Sequence, residues 1–306
     1  MNIKRGVLTV KKAVILCGGM ATRFLPISKS ISKEMLPLLD KPILQILVED
    51  LKQAGITDVV VILGRGKECI IRHFDHNIEL EQRLKETGKF DFLNVANEPN
   101  NLVNMYYRMQ DEPKGTGHAV KLVKSFVENE PFVVMFGDEV VFCNRKNIVE
   151  QLIENFEKYN KSVIAVQKCK WEDVCKYGII KPKVLKNGAY SVLDMVEKPK
   201  VEDAPSNISY IGPAILTPEI FETLELCKEI EGKELYLTQA FYKLAQEQKL
   251  MAQEIVGNRF DMGNKFGFVK ANIVACLKDK KFNKDMENYI LELADKINSI
   301  NKQKSN

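Results

Sequence analysis

The run Ala13-Val14-Ile15-Leu16 is wholly apolar and breaks directly into Cys17-Gly18-Gly19, a junction that constrains this chain more than any other feature. A short apolar run with two β-branched residues suits a strand buried on both faces of a parallel sheet. Two glycines after it let backbone N–H groups approach a ligand with no Cβ in the way. Arg23 and Lys33 follow closely, so exposed amides and two cations converge, a combination that suits a polyphosphate. The loop matches neither the dinucleotide-binding nor the P-loop glycine spacing, and an isolated Gly-Gly is more often a plain turn.

The residues that follow complete a βαβ unit. A helical pattern covers 43–54 and stops at Gly55, and a second apolar strand covers 59–63. Parallel strands joined this way cross over in the right-handed sense, and ligands gather at their carboxyl ends. A third buried-strand pattern over 132–136 ends at Gly137-Asp138-Glu139, which places Asp138 where the first loop also opens. A carboxylate there suits Mg²⁺, which takes oxygen ligands and bridges to phosphate, although a turn Asp is the plainer reading. Extended segments over 163–166, 177–180, 190–196 and 209–216 follow, and apolar residues with helical spacing run from 272 to 300.

Composition narrows the class. The 306 residues are 45% hydrophobic and 28% charged, which predicts an ordinary globular protein with a sizeable core. A net charge of +4 is too weak to predict a nucleic-acid or membrane partner. The first twelve residues lack the apolar segment of a secretory leader, and no apolar run approaches the roughly 18 residues of a membrane span. Seven cysteines with no C-x-x-C pair predict a reduced, cytoplasmic protein. His73 and His76 are read as a helix-end pair rather than a metal site, Cys17 as a buried filler, and Gly64-Arg65-Gly66-Lys67 as a turn with solvated cations.

Several blocks together carry a resemblance. Gly19-Met20-Ala21-Thr22-Arg23-Phe24-Leu25-Pro26, Lys33-Glu34-Met35-Leu36-Pro37, Gln110 through Ala119, Gly137-Asp138, Tyr177-Gly178, Glu197-Lys198-Pro199, Glu234-Leu235-Tyr236-Leu237-Thr238 and Asp261-Met262-Gly263 occur in this order over residues 12–272. In these blocks the chain resembles the sugar-phosphate nucleotidyltransferases. The resemblance implies an α/β fold, Rossmann-like and three-layered, with a central mostly parallel mixed sheet and C-terminal helices. It also implies one domain over 1–272, with a nucleotide half at about 10–160 and a sugar half at about 161–272, and a helical segment over 273–306.

The implied activity is transfer of UMP from UTP to glucose 1-phosphate with Mg²⁺, in a homodimer or homotetramer. A dTTP-using sister activity and a weakly catalytic paralogue that holds nucleotide sugar stay open. By the same resemblance, Gly18, Gly19, Glu34, Gln110 and Gly115 serve the nucleotide. Arg23 and Lys33 hold the triphosphate, Lys198 the sugar phosphate, and Gly178, Glu197 and Glu234 the sugar. Asp138 and Asp261 are the implied metal ligands. The chain departs from the family pattern at Ala21, where a glycine is usual, at Lys233 and Gln239, which replace acidic residues, and at Lys114 and Thr116 around Gly115. A methyl group at position 21 makes a positive φ costly where the triphosphate passes.

Overall fold

The computed structural model describes residues 9–227 and 234–304. Four strands run parallel in its first half: the apolar β1 (Lys12–Cys17) and β2 (Asp58–Leu63), the more exposed edge strand β3 (Asn104–Met109) and the apolar β4 (Phe132–Phe136). β1 lies between β2 and β4, with Cys17 opposite Leu63 and Leu16 opposite Phe136. Ala13, Val14, Ile15 and Cys17 are buried because helices cover both faces, and each buried Val or Ile contributes about 1.5–3 kcal/mol.

After β4 the chain leaves the main sheet as β5 (Glu139–Phe142) and returns as β6 (Ser162–Lys168), β7 (Gly178–Val184), β8 (Ala189–Glu197) and β9 (Ile208–Leu216). β10 (Leu250–Glu254) completes a nine-stranded sheet of order β3-β2-β1-β4-β9-β6-β10-β8-β7. β9 pairs antiparallel with both β4 and β6, so the sheet is parallel through its first four strands and mixed beyond them. β11 (Asn258–Asp261) pairs with β5 as a separate two-stranded ribbon.

Helices α1 (Ile43–Gln53), α2 (Ile148–Tyr159), α3 (Leu237–Gln246), α4 (Lys265–Lys278) and α5 (Asn283–Lys304) are the longer ones, with shorter helices between them. α1 buries Ile43, Leu44, Leu47, Val48 and Leu51, residues at three- and four-residue spacing, which form one apolar stripe. α2 begins in a capping box between Asn147 and Glu150. The core has two slabs, one on each face of the sheet, with α1 and α2 on one side and α3 on the other. The helical pattern expected over 272–300 is two helices, the first starting at Lys265. Among the described residues, no helix is long and apolar enough to cross a membrane.

Candidate active site

The carboxyl ends of β1, β2 and β4 open side by side. Gly64 N donates to Cys17 O at 3.4 Å and Gly137 N donates to Leu16 O at 3.1 Å, so the three strand-end glycine turns pack together. A Cβ at Gly64 would lie 2.7 Å from Gly18 O, and one at Gly137 would lie 2.6 Å from the Cys17 sulfur. These contacts leave no room for a side chain. Gly18, Gly19, Ala21, Lys33 and Gln110 line a cleft of about 280 Å³ above this point.

That cleft also takes Arg65, Gly66 and Lys67 into its wall, which corrects the reading of Gly64-Arg65-Gly66-Lys67 as a turn with solvated cations. β2 is the direct neighbour of β1, so the loop after it lies beside Gly18 rather than outside the first loop. Lys67 is 6% exposed and its Nζ donates to Glu34 Oε1 at 2.7 Å. Glu34 is wholly buried beneath the cleft: burial pushes its carboxyl up, while Lys67 and Lys33 pull it back. Glu34 is thus a support under the loop, not part of the cleft wall.

Gln110 donates from Nε2 to Gly115 O at 3.2 Å, while its Oε1 faces Gly18, where an added Cβ would lie 2.6 Å away. Its amide nitrogen is therefore tied to the 110–118 loop and its oxygen is left towards the cleft. Gly115 has φ +95 and packs on the Leu235 backbone, so it shapes that loop and lies outside the cleft wall. Ala21 adopts φ 53 and ψ 37, the left-handed conformation anticipated at this position, which costs an L-residue about 1–2 kcal/mol.

A second cavity, about 310 Å³, lies on the other side of Asp138. Its wall includes Arg23, Asp138, Gly178, Glu197 and Asp261, with Tyr210 and Tyr236 as aromatic surfaces. Arg23 thus faces this cavity, while Lys33 faces the first. The two are joined by one contact, Lys33 Nζ to Asp138 Oδ2 at 2.5 Å. Burial pulls the Lys33 ammonium down, but Asp138 and Glu34 outweigh it and hold its pKa above the ordinary value. Gly178 starts β7 against Glu197, where an added Cβ would lie 3.0 Å from Oε2.

Lys198 and Glu234 stand at the rim. Lys198 Nζ is 3.7 Å from Glu197 Oε1 with its side chain 58% exposed, on a backbone held at φ 48. Glu234 is exposed and outside the cavity wall, with its carboxylate against the Tyr236 side chain. Gln239 caps the start of α3, its Oε1 accepting from Tyr236 N at 3.2 Å. Lys233 lies outside the described residues. His73 and His76 turn to different partners, Gln45 and Glu81.

The donor set at Asp138 suits a divalent cation. A Cβ at Gly263 would lie 2.8 Å from both Asp138 Oδ2 and Asp261 Oδ1, so the two carboxylates face a pocket that only glycine keeps open. Two carboxylates with space for phosphate oxygens are the usual protein share of a magnesium-type site. Sequence reading passed over Glu139 and Arg259, which pair beside this cradle. Strand alternation held the signal, because Arg259 precedes Asp261 by two residues and so shares its face.

The comparisons agree with this geometry. The family model described as nucleotidyl transferase matches residues 12–275. A UTP--glucose-1-phosphate uridylyltransferase of Streptococcus pyogenes is 44% identical over 289 residues, 93% of this chain and 94% of its own. A UDP-glucose pyrophosphorylase complexed with UDP-glucose superposes with a TM-score of 0.80 at 34% identity, covering 89% of this chain and 100% of that one. A UTP-bound UGPase from Acinetobacter baumannii superposes with a TM-score of 0.85 at 32% identity, covering 93% and 100%. The chain belongs to the nucleotidyl transferase family.

Proposed function

We propose that this chain transfers UMP from UTP to glucose 1-phosphate, releasing pyrophosphate and forming UDP-glucose. The observation that carries the reading is the meeting of two chemically different cavities at the Lys33–Asp138 contact. One has glycine amides and cations, suited to a triphosphate, and the other has carboxylates and aromatic surfaces, suited to a sugar. The relatives named for this reaction, and the related structures with UDP-glucose or UTP bound, support it.

The attacking oxygen of a sugar phosphate is already an anion, so the site needs no general base. Positioning and charge neutralisation are the remaining tasks. Gly18 and Gly19 bring backbone amides to the nucleotide, and Gln110 Oε1 accepts from the uracil edge. Lys33 moves from Asp138 to the triphosphate, and Arg23 meets the phosphates from the other cavity. Lys198 swings in from the rim to the incoming sugar phosphate, Glu197 accepts from sugar hydroxyls, and Gly178 allows the ring to approach the backbone. Glu234 supports the sugar through Tyr236. Asp138 and Asp261 would hold Mg²⁺, which supplies charge neutralisation at the phosphates. The catalytic unit runs from β1 through α4, a single helix over Lys265–Lys278 that crosses the boundary expected at 272/273, and exposed apolar residues of α5, among them Leu291 and Ile297, suit packing in a homodimer or homotetramer.

Pyrophosphate release with Mg²⁺, glucose 1-phosphate and either UTP or dTTP tests the reading, with Asp138→Ala as the blank. Turnover with UTP that disappears in the blank is the expected result. A preference for dTTP, or full turnover without Asp138, would overturn it.

A further inference from the structure

We propose that Glu139, Arg259 and Tyr177 form a positioning brace that sets the spacing of the Asp138 and Asp261 carboxylates. The inference rests on the reading of those two residues as cation ligands. It starts from the ribbon of β5 and β11, which stands apart from the nine-stranded sheet. Four residue pairs make up that ribbon, with Asp261 opposite Glu139 and Arg259 opposite Val141. A two-stranded ribbon of this length is marginal by itself, so its geometry at the carboxylate end needs a further strut.

The strut is a bidentate ion pair. Arg259 donates from Nε to Glu139 Oε2 at 2.8 Å and from Nη2 to Glu139 Oε1 at 2.7 Å, across the diagonal of the ribbon. Both side chains are mostly buried, 16% and 13% exposed. The guanidinium also lies over the Tyr177 ring, 5.2 Å from its centroid, which ties the ribbon to the residue preceding Gly178 in the sugar cavity. A planar fork held by two bonds and a ring has one orientation, unlike an ammonium on a flexible stem.

The braced end of the ribbon leads straight into the carboxylate cradle. Met262 N donates to Asp138 O at 3.0 Å, continuing the pairing by one residue, and Gly263 N donates to Asp261 Oδ1 at 2.7 Å. Asp138 is adjacent to Glu139 in sequence, and Asp261 faces Glu139 across the ribbon. A change in the angle between the strands therefore moves the two carboxylates relative to each other. Neither Glu139 nor Arg259 is needed to touch the cation.

Mn²⁺ affinity of the full chain, measured without nucleotide by the loss of the free-ion EPR signal, separates bracing from simple charge. Arg259→Lys keeps the charge and removes the fork, so bracing predicts roughly tenfold weaker binding and charge alone predicts none. Arg259→Ala should also weaken binding, whereas charge alone predicts tightening. Tyr177→Leu, which leaves every charge in place, should weaken it about threefold, and Glu139→Gln combined with Arg259→Ala should be no weaker than Arg259→Ala. The thermal midpoint and metal-free UTP binding in EDTA should stay close to wild type for Arg259→Lys. Wild-type Mn²⁺ affinity in both Arg259→Lys and Tyr177→Leu would overturn the brace. Asp138→Asn is the control: if it binds Mn²⁺ like the wild type, the cation reading itself falls and the brace with it; if binding is lost there but kept in Arg259→Lys, only the brace falls.

Discussion

The two halves of the molecule build their parts of the site by opposite means. The nucleotide side uses parallel strands, whose carboxyl ends place three glycine turns together, so backbone does most of the shaping. The sugar side uses antiparallel strands and a detached ribbon, and its surface is made by side chains such as Glu197, Tyr210 and Arg259. A backbone-built cavity tolerates side-chain change except where an added Cβ collides, while a side-chain-built cavity changes with each substitution.

The largest expected effect lies where the halves meet. Asp138→Asn should lower kcat by at least ~10³-fold, about 4 kcal/mol, with the thermal midpoint nearly unchanged. Steady-state kinetics and calorimetry on the same preparation check this split. A loss of turnover matched by a loss of folding would erase the distinction between junction and scaffold.

The buried support of the nucleotide side comes next. Lys67→Met leaves the Glu34 carboxyl buried without its cation, and breaking such a pair costs about 3 kcal/mol in denaturant unfolding. Glu197→Gln should instead raise KM for glucose 1-phosphate by ~10- to 100-fold and leave KM for UTP alone. Equal changes in both KM values would show that the cavities are not separable.

A pH effect sharpens the picture of the nucleotide half away from its cleft. Burial, with Glu49 and Glu150 nearby, pushes Asp50 from 3.8 up to about 7. Because the folded value is raised, the fold favours the protonated carboxyl. Its contribution is present below about pH 4 and is lost as pH rises to about 7. Asp50→Asn should therefore stabilise the protein by up to about 4 kcal/mol at pH 7.5 and have almost no effect near pH 4, read from unfolding curves at both values. The smallest expected effect is at Ala21, where Ala21→Gly should stabilise by about 1 kcal/mol by relieving the left-handed backbone, with kcat changed no more than a few-fold.

Legibility in the sequence followed the same division. The apolar run 13–16, the strand ending at Gly137-Asp138 and the glycine loop were readable because each depends on a few adjacent residues. The Gly64–Lys67 loop was misread because its place in the wall depends on β2 pairing with β1, a contact of residues more than forty apart. Glu34, read as a nucleotide contact, is buried as a partner of Lys67 for the same kind of reason.

By itself, then, the sequence determined the α/β alternation, the strand-end loops and the residue types able to bind phosphate, metal and sugar, because strand burial and glycine freedom are local properties. Tertiary structure alone decided that Arg23 and Lys33 face different cavities, that Asp138 and Asp261 share the space over Gly263, and that Arg259 is committed to Glu139. Those are relations between segments more than a hundred residues apart, and only the packed sheet with its ribbon brings them within the few ångströms over which charges and hydrogen bonds act.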